Sequence, residues 1–115
     1  MIMVSQNNNG GGVTDIAGNY VGTLKPMGYS DQPAPCYITL TKLSSTTFRL
    51  ASIICETFDI NFTSGINMVA TTQSDGRIQL TTETSYVVEG SYFQGTLTLS
   101  LGIGGDNFFF SGTKD

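Results

Sequence analysis

Apolar and polar residues alternate with a period of two along most of the chain. Between 95 and 101, Leu97, Leu99 and Leu101 fall on one side and Thr96, Thr98 and Ser100 on the other, the spacing of a strand buried on one face. The same alternation recurs in segments near 18–25, 36–43, 47–55, 57–63, 67–72, 77–82, 86–93 and 108–114, and no 3.6-residue period interrupts it. Phe58, Ile60 and Phe62 are expected to share one face of the fourth segment, which Gly65 bends or ends. Turn chemistry separates the segments. Pro26 to Pro35 forms a long loop, Ser44-Ser45-Thr46 a short turn and 102–107 a glycine-rich turn. Gln73-Ser74-Asp75-Gly76 is the clearest hairpin signal, because Asp-Gly supplies a positive-φ turn residue.

Eight or nine consecutive strands joined by short loops, without a crossover helix, predict an antiparallel up-and-down arrangement. An open sheet of that size would leave two unprotected edges, and pairing the first strand with the last removes both. The expected fold is therefore an all-β, eight-stranded antiparallel up-and-down closed barrel with no substantial helix. Residues 19–25 should pair with 108–114, and each of these strands carries a Gly-Thr step, Gly22-Thr23 and Gly112-Thr113, where backbones can approach closely. Tyr20, Leu24, Phe108 and Phe110 then face inward. Of the 115 residues, 1–15 are expected to be a flexible N-terminal tether, built around the polar, glycine-rich stretch 5–12, and 16–115 one barrel domain.

Charged residues make up only 12% of the sequence, against about 25% in typical globular proteins. Thr, Ser, Gly and Asn take their place, which suits exposed strand faces. The net charge is −4, and Lys25, Lys42, Arg49, Arg77 and Lys114 are scattered. Nucleic acid is not an expected partner, since a phosphate backbone calls for a concentrated positive surface. No basic amphipathic helix suggests a membrane-surface role, and no apolar run approaches the roughly 20 residues of a transmembrane helix. Met1-Ile2-Met3-Val4 is too short and lacks the basic region of a signal peptide. An exported form would carry its signal segment outside these residues.

Several stretches together carry a family resemblance: Ile16-Ala17-Gly18-Asn19-Tyr20-Val21-Gly22-Thr23-Leu24, Tyr37-Ile38-Thr39-Leu40-Thr41-Lys42-Leu43, Gly95-Thr96-Leu97-Thr98-Leu99 and Phe110-Ser111-Gly112-Thr113-Lys114. They resemble the calycin-like or lipocalin-like small domains exported by Gram-negative anaerobes, over most of residues 16–114. Gly18-Asn19-Tyr20 sits where lipocalins carry Gly-x-Trp on the first strand. The resemblance implies an eight-stranded barrel and a periplasmic or lipid-anchored cell-surface location.

Enzyme chemistry is not expected. The chain contains no His, which removes the commonest general base and triad partner. Asp59, Asp75, Glu83, Glu89 and Asp106 sit in turns or at polar alternation positions and read as solvated. Gly102, Gly104, Gly105 and Asp106 precede a Phe-rich strand, whereas a phosphate cradle opens a helix. Asp59, Asn61, Asp106 and Asn107 offer oxygen atoms without calcium-loop spacing, so no metal and no cofactor are expected. The sequon Asn61-Phe62-Thr63 reads as strand sequence.

Two registers compete for Cys36 and Cys55. A strict hairpin with a four-residue loop centred on Ser45-Thr46 sets the two opposite each other in a non-hydrogen-bonded pair, close enough for a disulfide. Holding Ile38, Leu40, Leu43, Phe48, Leu50 and Ile54 all inward instead requires a bulge near Thr41-Lys42, which separates the cysteines onto opposite faces. No Cys-x-x-Cys spacing points to a catalytic dithiol.

These features point to a non-catalytic exported binding module whose barrel lumen or mouth holds a small apolar or amphipathic ligand. Tyr20, Leu24, Ile38, Leu40, Leu50, Phe62, Leu97, Leu99 and Phe110 are the candidate lining. The alternative is a cell-envelope protein-interaction or inhibitor-type barrel. In that case Phe48, Phe58, Phe62, Phe93, Leu97, Leu99 and Phe110 would fill the interior, leaving no room for a small ligand.

Overall fold

The computed structural model describes residues 15–27, 32–82, 88–103 and 106–115. Nine strands carry these residues: β1 (Gly18–Pro26), β2 (Ala34–Lys42), β3 (Thr47–Cys55), β4 (Ile60–Phe62), β5 (Ile66–Thr72), β6 (Ile78–Thr82), β7 (Val88–Phe93), β8 (Thr96–Ile103) and β9 (Asp106–Lys114). Every pairing is antiparallel, and β1, β2, β3, β5, β6, β7, β8 and β9 bond in chain order until β9 returns to β1. The molecule is thus a closed eight-stranded up-and-down barrel, with no helix among the described residues. The expected seam is present: Tyr20 pairs with Lys114, Gly22 with Gly112 and Pro26 with Phe108.

β4 and β5 are one strand broken by a bulge. Phe62 lies opposite Ile53 and Ile66 opposite Leu50, so Thr63-Ser64-Gly65 spans the width of Ala51-Ser52 on β3. Gly65 takes a φ of 86°, a conformation that favours glycine. Arg49 from β3 lies over it and donates from Nη2 to the Ser64 carbonyl at 3.1 Å. The strand also starts later than its alternation predicts. Thr57 and Phe58 belong to a turn closed by the Asp59 N–H on the Glu56 carbonyl (3.0 Å), with Asp59 at a φ of 56°. Phe58 still packs on the core, its ring centroid 5.7 Å from that of Phe108.

The hairpin between β2 and β3 differs from both registers that the sequence allows. Its turn closes by Leu43 N–H to the Thr47 carbonyl (2.9 Å), one residue tighter than the strict hairpin. The bulge falls on β3 at Ala51, between the pairs Leu40–Leu50 and Thr39–Ser52, and not near Thr41-Lys42. Strand parity flips there, so Leu50 and Ile53 are both buried while Ala51 and Ser52 lie half-exposed between them. Two residues expected inside are consequently outside: Leu43 is 48% exposed in the turn, and Ile54 is half-buried while Ile53 takes the inward place. Elsewhere the ladders extend past the expected ends. β8 runs to Ile103 opposite Asp106, so residues 102, 103, 106 and 107 of the expected turn are strand, while 104–105 lie outside the described residues.

Inward side chains form one core. Tyr20, Leu24, Phe108, Phe110, Leu97, Leu99 and Leu101 are all buried in it, joined by Phe48, Met68, Ile78 and Leu80 from the opposite wall. Phe93, expected inside, is half-buried on the outer face beneath the Arg77 guanidinium, 5.3 Å from its ring centroid. The reason is parity, since Tyr92 occupies the inward position and packs edge-on against Tyr20 at 6.4 Å.

The Gly22–Gly112 pair sets how tightly the seam curves. A Cβ on Gly22 would overlap the Ser111 carbonyl and lie 2.7 Å from its carbon, and one on Gly112 would lie 2.6 Å from the Phe110 ring. Overpacking of this kind costs about 1–3 kcal/mol. Urea denaturation should therefore find Gly22→Ala destabilised by that amount, with Thr113→Ala on the outer face of the same ladder within about 0.5 kcal/mol of the parent. A Gly22→Ala protein as stable as the parent would mean that the two backbones do not approach this closely.

Candidate functional site

The lumen is the first place to look, because alternation sends one face of every strand into it. Of its nine candidate lining residues, Tyr20, Leu24, Ile38, Leu50, Leu97, Leu99 and Phe110 are 0% exposed and Leu40 is 2% exposed. Phe62 faces inward opposite Ile53 but is only half-buried, because the Gly65 bulge follows it. Zero exposure excludes more than bulk solvent. A ligand-sized void would leave accessible surface on its walls, and these seven side chains have none. They are brought together in one buried hydrophobic core.

One end of the lumen is stoppered by the chain itself. Ile16 is fully buried just ahead of β1, and Tyr20 donates its phenol hydrogen to the Ile16 carbonyl at 2.6 Å. Burial, with Tyr92 and Asp15 nearby, pushes the Tyr20 phenol well above its ordinary pKa, so it remains a donor. Lys114 Nζ donates to the Asp15 carbonyl (3.1 Å) and the Asp115 N–H to Asn19 (2.8 Å), tying this segment to the end of β9. The turns 43–46, 73–77 and 94–95 share this end. β1, β3, β6 and β8 run toward the other end, where the turn 56–59 lies.

A second site, unmarked by any sequence pattern, lies on the outer wall. Gln73, Asp75, Arg77, Gln79 and Ser91 line an open polar hollow of about 490 Å³ between the β5–β6 turn and β7. Its groups are largely engaged already. Gln73 donates to Gln79 (3.2 Å), Asp75 accepts the Arg77 N–H (2.9 Å) and closes the turn, and Arg77 covers Phe93. The expected Asp-Gly turn is therefore present, with Gly76 at a φ of 91°. Only the outward amide and hydroxyl positions of β6 and β7 could have signalled the hollow, and such positions are common on any wet strand face.

The cysteines come together. Cys36 and Cys55 are both fully buried thiols on the inner face, one step past the Tyr37–Ile54 pair. Burial above all, and then the Cys55 thiol beside it, push Cys36 up to about 12. Asp59 and Asn61 flank the start of β4 and Asp106 and Asn107 begin β9, all exposed at the end away from Ile16. Among the described residues, no three His, Cys, Asp or Glu side chains converge as metal ligands would. Glu83 and Gly104, singled out by sequence, lie outside the described residues.

Compared with known protein families, curated proteins and solved structures, the chain matches none of them.

Cys36 gives the barrel an alkaline limit. The folded thiol holds its proton to about 12, whereas an unfolded thiol releases it near 9. Its contribution to stability is complete below the lower value and disappears as pH rises through the interval between them. With the protein kept reduced, denaturant titrations from neutral to alkaline pH should show a steeper loss in the parent than in Cys36→Ala. Tyr20 acts equally in both proteins, so parallel curves would overturn the assignment.

Proposed function

We propose that this chain is a non-catalytic, exported binding module of calycin-like architecture that engages a protein partner of the cell envelope, its lumen serving as the hydrophobic core. The closed eight-stranded antiparallel barrel is compatible with that architecture. One observation favours this reading over a lumenal ligand: seven of the nine side chains that would line a ligand cavity, Tyr20, Leu24, Ile38, Leu50, Leu97, Leu99 and Phe110, have no accessible surface. A lipocalin-type carrier needs a cavity of about 300 Å³ or more.

Absence of catalysis belongs to the same proposal, and it rests on the lack of histidine in the sequence. The carboxylates Asp59, Asp75, Glu89 and Asp106 are all exposed, and none sits in a buried pocket of the kind that holds catalytic acids and bases. Export and envelope location rest on the resemblance over residues 16–114.

Two measurements test the reading together. Titration with a fluorescent fatty acid should give no saturable signal with the parent, while Leu99→Ala, which opens a dry apolar cavity in the core, should gain binding of a small apolar probe such as benzene. Native mass spectrometry of protein taken from its own host should find a protein complex. A small molecule bound one per chain in that experiment, or saturable fatty-acid binding by the parent, would replace the proposal with a lumenal carrier.

A further inference from the structure

The two buried thiols lie where a covalent staple between β2 and β3 would lie. The Ala51 bulge moves the inward register of β3 by one residue, so that Leu50 below it and Cys55 above it share the inner face. Continuing the pairs Ile38–Ile53 and Tyr37–Ile54 by one step sets Cys36 directly opposite Cys55.

The hydrogen-bond phase of this pair follows from the seam. Met27 N–H bonds to the Asn107 carbonyl (2.8 Å), and Asp115 N–H to the Asn19 carbonyl, so the odd residues of β1 bond to β9 and the even ones to β2. Gly22 therefore exchanges its backbone bonds with Cys36. Cys36 has its N–H and C=O turned toward β1, away from β3, and its pairing with Cys55 is of the non-hydrogen-bonded kind. Such pairs hold their Cα atoms about 4.5 Å apart with side chains close, within the roughly 4.4–6.8 Å that a disulfide spans.

We propose that Cys36 and Cys55 are joined by a disulfide when the chain folds in the presence of a disulfide oxidant. One cysteine thiolate attacks the sulfur–sulfur bond of the oxidant, for example glutathione disulfide, and expels one glutathione thiolate. The second cysteine thiolate then displaces the other. Two protons and two electrons leave the protein, and one glutathione disulfide becomes two glutathione thiols. Both sulfurs are sealed once the barrel closes. The reaction consequently takes place in the β2–β3 hairpin before β1 and β9 complete the wall, while both thiols still meet solvent. The tight turn over 44–46 brings the two strands together early, since it closes a short loop.

The staple is independent of what the barrel binds, and the full chain tests it. After refolding in a mixture of reduced and oxidised glutathione, the intact mass should fall by two hydrogens relative to the reduced chain, and denatured protein without reductant should resist alkylation. Lys42 and Arg49 lie between the two cysteines, so tryptic cleavage leaves the Cys36 and Cys55 peptides connected only by the bridge. The oxidised chain should also melt at a higher temperature than the same chain reduced. Both cysteines alkylated after oxidising refolding, each capped by glutathione, or joined between chains would overturn the proposal. Cys55→Ser, which leaves Cys36 without a resolving thiol, should never show the loss of two hydrogens.

Discussion

Everything inside this protein depends on the backbone ladder between β1 and β9, which joins residues from opposite ends of the described chain. Without it both strands present rows of unpaired N–H and C=O groups, and the inner face of the sheet meets water. With it, one continuous wall encloses a core that takes side chains from every long strand. The ladder can close only if the wall curves, and glycines and bulges in several strands accommodate that. At the seam two glycines face each other, and the missing Cβ atoms let Gly22 and the Ser111–Gly112 backbone meet. On the far side, the Ala51 and Gly65 irregularities bend β3 and its partner at one height, with Arg49 fastened across them. Bulges and close glycine pairs are the usual means of turning a twisted sheet into a barrel.

Closure on this scale decides what the lumen does. Eight strands leave an interior that side chains can just fill, and here Phe48, Phe110, Tyr20 and the leucines of β8 fill it. The barrel therefore invests its inner face in stability. The surface that remains is the outer wall and the two ends, one of them sealed by Ile16 and the Tyr20 hydrogen bond. The thiol pair fits the same logic. With the β2–β3 turn one residue tighter than a strict hairpin, the Ala51 bulge is what returns Cys36 and Cys55 to the same inner face.

The fold was legible because the sequence repeats one simple instruction. Leu97, Leu99 and Leu101 against Thr96, Thr98 and Ser100 state the inner and outer faces of β8 directly, and the Gly-Thr steps of β1 and β9 mark where they meet. Register was harder. A bulge inserts one residue and flips parity, and the residues at this one, Ala51 and Ser52, carry no turn signature. Ile53 and Ile54 are chemically equal candidates for the inward position, so only the three-dimensional ladder chooses between them. Phe93 faces out for a related reason: next to Tyr92, one of two adjacent aromatics must face out, and Arg77 supplies the outer one with a cover. Whether the lumen is filled depends on summed volumes across eight strands, a quantity that no local pattern carries. The outer hollow, assembled from ordinary polar positions on β6 and β7, left no trace that composition or spacing could separate from solvated strand.

Native-state hydrogen exchange, resolved by residue, tests closure most directly. The phase of the seam turns the amides of Val21, Thr23 and Lys25 toward β9 and those of Tyr20 and Leu24 toward β2. In a closed barrel both sets exchange as slowly as the amides of Leu97 and Leu99, through global unfolding. Rapid exchange at Val21, Thr23 and Lys25, with Tyr20 and Leu24 still protected, would mean that β1 is a free edge, and would contradict the closed, filled barrel.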